Sequence, residues 1–216
     1  MAIKKHDFVE IEYTGRETDS KDIFDTTDEK TAKDTKIYQE NSEYKPLIIC
    51  IGEGNILQGL DDFIEGKDLG KYTVELDAEH GFGKKNAKLI QMIPAKRFKE
   101  QKIQPVHGLR LNIDNRIGTI RSVNGGRIIV DFNHPLAGRD VTYDINIKRI
   151  VTDKKECISS IFNALLGLPD LNITVEGDKA IVDLPAELPE QITNELKKRV
   201  KDLVKVDVEF KAPKKE

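Results

Sequence analysis

Short stretches of strict hydrophobic and polar alternation punctuate this chain. Across residues 8–14, Val9, Ile11 and Tyr13 fall on one side and Glu10 and Glu12 on the other, the period-two pattern of a half-buried strand. Thr14 and Gly15 predict a turn after it. Ile23, Phe24, Asp25, Thr26 and Thr27 predict a second short strand or bulged edge, and the polar stretch 28–45 reads as a long surface loop with room for one helical turn. The stretch 48–66 organises the rest. Its apolar start, 48–51, reads as a buried strand end, broken by Gly52 and Gly54. Ile56, Leu57, Leu60, Phe63 and Ile64 then form one face of a short helix, with Asn55 as the expected N-cap and Gly66 closing the end. A helix of roughly two to three turns is not stable alone and must lie on a sheet. Tyr72, Val74 and Leu76 alternate and supply another strand.

From residue 84 the pattern changes. A short helical piece at 95–100 follows the apolar stretch 89–93, Leu109, Leu111 and Ile113 alternate, and two apolar stretches, 117–123 and 127–132, flank Asn124, Gly125 and Gly126, a strong hairpin signal. Val141, Tyr143, Ile145, Ile147, Arg149 and Val151 then alternate with polar residues along what reads as one face of a long central strand. The last segment, 153–216, opens with Asp153 and, three residues on, Glu156, a capping-box variant. A helix face of Ile158, Ile161, Phe162, Leu165 and Leu166 is stopped by Gly167 and Pro169. Two strands about a Gly177-Asp178 turn, a helix after Pro189 and a third strand complete an αββαβ order, predicted as two helices on one face of a small antiparallel sheet. Residues 211–216 read as a frayed end.

Charge sharpens this division. Residues 1–83 carry 10 basic and 20 acidic side chains, whereas residues 84–131 carry 11 and 3. A basic block inside an acidic chain marks a separate module. Its charge reads as a solvated face or as an attraction toward the acidic body; nucleic acid is not the expected partner, because Phe98 is the single aromatic before Phe132 and stacking needs more. No apolar run reaches membrane-spanning length and the start MAIKKHDF lacks the apolar core of a signal peptide, so a cytoplasmic site without membrane contact is expected. Cys50 and Cys157, each in an apolar run, read as buried small hydrophobes. No nucleophile elbow, phosphate loop or zinc spacing occurs, and His6, His80, His107 and His134 are scattered. No cofactor or metal is therefore expected.

Taken together, Val9 to Gly15, Ile23 to Thr26, Gly52 to Gly66, the Gly81-Phe82-Gly83 turn, and Asn133-His134-Pro135-Leu136-Ala137-Gly138 with the strand from Val141 resemble, in order and spacing, an FKBP-type peptidyl-prolyl isomerase of the SlyD-like class in its long archaeal form. The resemblance covers roughly residues 6–152. It implies an α+β fold: an antiparallel sheet half-wrapped round a short helix, formed by 1–83 and 132–152, with a small β-rich domain inserted in the flap at 84–131. Residues 153–216 resemble the extra domain of the long members, to which no activity is attached, and through which a homodimer is conceivable.

The resemblance carries a site with it. Tyr13, Asp25, Ile56, Phe82 and Tyr143 match the catalytic lining, and Phe24, Leu57, Leu60, Leu136 and Ala137 the walls that hold the proline. Leu60 stands where many small members carry Trp, and Phe82 where a Tyr hydroxyl usually bonds the substrate carbonyl; the lost bond amounts to about 0.5–1.5 kcal/mol. On pattern alone Tyr13, Phe24, Ile56, Leu57 and Tyr143 would be core residues. Asp25 differs, because a carboxylate beside Phe24 in an apolar strand requires a partner or a ligand. The implied partners are unfolded or partly folded chains with X-Pro bonds, met by an adaptable apolar surface of Leu89, Ile90, Met92, Ile93 and Phe98. The implied function is prolyl isomerisation with chaperone activity; a non-enzymatic holdase is the competing reading.

Overall fold

The computed structural model describes residues 2–168 and 170–211; Met1, Pro169 and residues 212–216 lie outside the described residues. In chain order the elements are β1 (Phe8–Glu17), β2 (Ile23–Thr26), α1 (Glu29–Asp34), β3 (Leu47–Cys50), α2 (Gln58–Ile64), β4 (Gly70–Leu76), β5 (Ile90–Pro94), α3 (Ala95–Glu100), β6 (Arg110–Ile113), β7 (Arg116–Asn124), β8 (Arg127–Asp131), β9 (Val141–Val151), α4 (Lys154–Leu166), β10 (Asn172–Glu176), β11 (Lys179–Asp183), α5 (Glu190–Val204) and β12 (Asp207–Lys211). They form two compact units: Met1–Leu76 with Val141–Glu216, and the inserted Asp77–Asp140. The inserted unit is thus wider than the basic block at 84–131.

In the first unit, β9 lies between β1 and β4, antiparallel to both. The other side of β1 is shared: β3 pairs with its first half and β2 with its second. Val9, Ile11, Val74, Leu76, Val141, Tyr143, Ile145 and Ile147 are buried, as are Leu60 and Ile64 of α2, which lies against β4. The predicted helix therefore does rest on the sheet. Asn55 does not cap it. Its side chain accepts from Cys50 N at 2.8 Å, and the helix starts after Leu57 without a side-chain cap. The chain entering α2 is instead held by Asp61, only 3% exposed, whose carboxylate accepts from Gly52 N at 3.0 Å and Gly54 N at 3.4 Å. Gly52 and Gly54 have φ of +83° and +68°, which favour glycine.

The pairing of β1 with β9 carries one irregularity. Ile11 pairs with Ile147 but Glu10 pairs with Arg149, so Lys148 is an extra residue, a β-bulge. Arg149 and Val151 therefore do not continue the Val141-to-Ile147 face, as simple alternation predicts. They move to the opposite face with Phe8, Cys50 and Glu10. There Phe8, Cys50 and Val151 join one continuous core with Cys157, Ile158, Ile161 and Phe162 of α4, Leu196 and Val200 of α5, and the strands β10–β12. Arg149 bonds Glu10 and, at 2.7 Å, Glu156 of α4. By packing, the C-terminal residues belong to the same compact unit as the first sheet.

α4 ends as its sequence predicts: Asp153 caps it by accepting from Glu156 N at 2.9 Å, and Gly167 terminates it in the left-handed region. The small sheet is not fully antiparallel. β10 and β11 are, but β12 runs parallel to β11, because α5 serves as the crossover between them. Burial pushes the thiols of Cys50 and Cys157 up to about 12, which leaves both as inert packing groups.

The inserted unit is a four-stranded antiparallel sheet in the order β5-β8-β7-β6. Its core is Ile93, Phe98, Ile120, Ile128 and Val130, with α3 covering that face through Phe98. Gly118 has no room for a side chain, since a Cβ there would stand 2.5 Å from Val130 and 2.9 Å from Phe132. Asp131 is 4% exposed; burial alone would raise its pKa, but bonds from Asn133 N (2.9 Å), Asn133 Nδ2 (2.7 Å) and the Arg121 guanidinium (3.0 Å) outweigh it and hold the carboxyl below its usual range.

Removing residues 153–216 would uncover Phe8, Cys50 and Val151. The shortened chain is expected to lose about 3 kcal/mol or more of stability and to bind a hydrophobic dye, read in a denaturant titration. Unchanged stability would contradict a shared core.

Candidate functional site

Gly15, read from sequence as a turn residue, lies inside β1, which runs on to Glu17. It pairs with Asp25 of β2 on one side and Tyr143 of β9 on the other. A Cβ at Gly15 would stand 2.7 Å from the Tyr143 ring and 2.9 Å from the Phe24 ring. The missing side chain is what lets the two rings close over the strand, edge to face with centroids 5.7 Å apart. Tyr13 lies on the same face, its ring 5.9 Å from that of Tyr143. Its hydroxyl donates to Asp25 Oδ2 at 2.9 Å. Asp25 is exposed, so the partner that its sequence context called for is Tyr13.

Four of the candidate residues, Tyr13, Phe24, Asp25 and Tyr143, are therefore gathered by direct contacts. Their electrostatics follow from burial. Desolvation, then the Asp25 carboxylate, pushes both phenols well above the usual tyrosine range, so both keep their protons at any physiological pH. Ile56 and Leu57 are half-buried at the entrance to α2, on the chain that Asp61 holds, and Leu60 is 3% exposed within the core.

The remaining candidates lie in the inserted unit. Gly138 N donates to Gly83 O at 2.8 Å and joins the turn at 81–83 to the loop at 133–138. That bond gathers Phe82, Leu136 and Ala137. Phe82 stacks flat on His134, with centroids 4.5 Å apart and an interplanar angle of 4°. His134 Nδ1 accepts from Leu136 N at 3.2 Å, and Ala137 N donates to His134 O at 2.9 Å. Partial desolvation, then the charge of Arg110, lowers the pKa of His134. In the sequence His134 stands within the Asn133-to-Gly138 stretch that carries the resemblance, without a site role of its own.

Among the candidates for an apolar surface, Ile90 and Met92 are exposed, at 42% and 59%. Ile93 and Phe98 are not available, because both are buried in the core of the inserted unit at 7% and 3%; Leu89 is half-buried. Alternation along β5 turns Ile93 inward where Met92 turns outward. Val106, Ile117 and Val123, exposed at 50%, 63% and 44%, were missed. No cluster of His, Cys, Asp and Glu able to hold a metal ion occurs among the described residues, and no helix among them is long and apolar enough to cross a membrane.

A sheet with a short helix against it, tyrosine and phenylalanine rings closed over a glycine, and one carboxylate held by a phenol define the class as an α+β fold with a ring cluster on its sheet. Comparison with known proteins gives that class its family. Residues 91–136 match a family model described as the IF domain of FKBP26. The chain is 32% identical over 155 residues to the short-type peptidyl-prolyl cis-trans isomerase of Methanocaldococcus jannaschii, covering 71% of this chain and 98% of the relative. It is also 32% identical over 111 residues to the FKBP-type 16 kDa peptidyl-prolyl cis-trans isomerase of Escherichia coli, covering 49% of this chain and 74% of that protein. Over 122 residues it is 32% identical to SlyD of Vibrio cholerae, covering 54% and 60%. The chain belongs to the FKBP-type peptidyl-prolyl cis-trans isomerases.

Two outcomes are expected. Gly15→Ala drives a methyl group into the Phe24 and Tyr143 rings and should lower kcat/KM for a short prolyl peptide about tenfold or more, with the far-ultraviolet dichroism unchanged; an unaltered rate would detach these rings from catalysis. His134 titrates below its unfolded value, so its contribution to the 133–138 loop is fully present above the unfolded pKa of about 6.5 and is lost as pH falls through the lowered folded value. Amide exchange at Leu136 and Ala137, corrected for intrinsic rates, should accelerate below about pH 6 and stop doing so in His134→Phe.

Proposed function

We propose that the chain accelerates cis/trans isomerisation of X-Pro bonds at the ring cluster of Tyr13, Phe24 and Tyr143, and that the inserted unit holds unfolded chains for it. The observation that carries the first part is the Tyr13–Asp25 bond at the edge of rings packed over Gly15. Amide resonance sets a rotation barrier of ~18–20 kcal/mol, and the twisted transition state has lost the charge separation of the planar amide. An apolar cleft that seats the proline ring and strips water from the preceding carbonyl favours the twisted form over the planar one. A 10,000-fold acceleration requires about 5.5 kcal/mol, within reach of such differential binding. Ile56 and Leu57 supply apolar floor, Leu60 supports it from within the core, and Asp25 orients the Tyr13 hydroxyl without taking a proton.

Support for the second part comes from strand register in the inserted unit. Ile90 and Thr119 both pair with Asp131, and Met92 pairs with Ile129, which sets Ile90, Met92 and Ile117 on the face of the sheet opposite Phe98. An exposed apolar strip on a charged module suits weak, sequence-tolerant contact with unfolded chain. Because this module is continuous with the prolyl domain at both ends, captured chain is kept at high effective concentration.

Asp25→Ala should lower turnover of a short prolyl peptide about tenfold while the fold melts as before, since the lost contact includes a charged partner. Ile90→Ser with Met92→Ser should leave that turnover intact and slow refolding of a cis-proline-limited protein. Suppressed aggregation by the whole chain with no gain in isomerisation rate would select the holdase reading instead.

A further inference from the structure

The cleft that starts at Tyr13, Phe24 and Asp25 does not end there. It continues along the edge of the first sheet, where β2 and β3 share β1 as neighbour, and has a volume of about 1170 Å³. Pockets for whole small molecules run to about 300–1,000 Å³, so this one exceeds the needs of a proline ring several times over. One wall is the segment between α1 and β3. It is ordered by its own contacts: Tyr38 stacks on Tyr44 at 5.3 Å, the Lys33 ammonium covers Tyr38 at 4.9 Å, and Gln39 N donates to the Tyr44 hydroxyl at 2.9 Å. The other wall is α4.

α4 is two-sided. Cys157, Ile158, Ile161 and Phe162 enter the core, whereas Lys155, Ser159 and Asn163, spaced by four residues, share the face that lines the cleft. Solvated helix faces usually carry long charged side chains. Here, past Lys155, the small side chains of Ser159 and Asn163 leave the space open. The Asn163 side chain has no partner among the described residues, and its amide offers both a donor and an acceptor. That pair suits the backbone of an extended chain, whose N–H and C=O groups need partners once water is displaced.

Charge narrows the choice further. Lys45 in the cleft is held by Glu43 at 2.5 Å, and Glu156 is held by Arg149 at 2.7 Å. Asp25, Asp153 and Asp170 then line the cleft against Lys155, an excess of negative charge.

We propose that α4 and the segment between α1 and β3 form a subsite for the extended stretch of substrate flanking the proline, with a preference for a basic over an acidic side chain in that stretch. The proposal rests on the prolyl reading above. It gives the C-terminal residues a part in substrate selection that a prolyl domain alone would lack.

The test uses the full chain and three peptides with one X-Pro bond: a short one, and two with longer flanks carrying Lys or Glu. In Asn163→Trp, which fills the cleft, the ratio of kcat/KM for long over short peptide should fall about fivefold, mainly through KM. In Lys155→Glu, at an exposed position, the preference for the Lys-bearing over the Glu-bearing peptide should rise. An unchanged ratio in a folded Asn163→Trp overturns the subsite, as does an unchanged peptide preference in Lys155→Glu, the variant that decides should the tryptophan prevent folding. A wild-type chain that accelerates none of the three peptides overturns the prolyl reading and the subsite with it.

Discussion

The antiparallel pairing of β9 with β1, ten residues long with one bulge, is the constraint on which the rest depends. β9 is the strand by which the chain returns after 64 inserted residues. A domain interrupted at that length must close a long loop before any contact rewards it, an entropic cost that grows slowly with length. The ladder of β9 with β1 and β4, and the burial of Val141, Tyr143, Ile145 and Ile147, offset that cost. The same strand carries Tyr143 into the ring cluster. Its bulge at Lys148 turns Val151 to the other face, where the C-terminal residues find their core. One strand thereby joins the insertion, the cleft and the last segment.

At the ring cluster no polar group stands ready to trade a proton. The Tyr13 hydroxyl is held by Asp25, and both tyrosine phenols are kept protonated by desolvation. Such groups orient and exclude water; they do not exchange protons with a substrate at neutral pH. This is what rotation about an amide bond asks for, since no bond to hydrogen is made or broken. The close ring packing has a structural condition, the absent side chain of Gly15, and a local one, the β1 backbone that brings Asp25 and Tyr143 to either side of it.

Much of this was legible in the chain. Alternation located β1, β4 and β9, the Asn124-Gly125-Gly126 signal located the hairpin of β7 and β8, and Asp153 with Gly167 located both ends of α4. Tyr13, Phe24, Asp25 and Tyr143 were readable through the family resemblance, and Asp25 also through the cost of an unpartnered carboxylate. What escaped depends on contacts between distant residues. A bulge leaves no mark in a period-two pattern, so Val151 was assigned to the wrong face. Gly15 looked like a turn because nothing local reveals two rings arriving from β2 and β9. Ile93 and Phe98 are as apolar as Met92, and only the register of β5 against β8 separates core from surface. The parallel β12 follows from the length of α5, a signal that was present and not used.

An apolar cleft that binds the twisted imide, with no group passing a proton, is the central claim. The solvent deuterium isotope effect on kcat/KM for a short X-Pro peptide, measured with the pH profile between roughly pH 6 and 8.5, tests it most directly. The account predicts a flat profile and no isotope effect. A bell-shaped profile with a large normal isotope effect would contradict it.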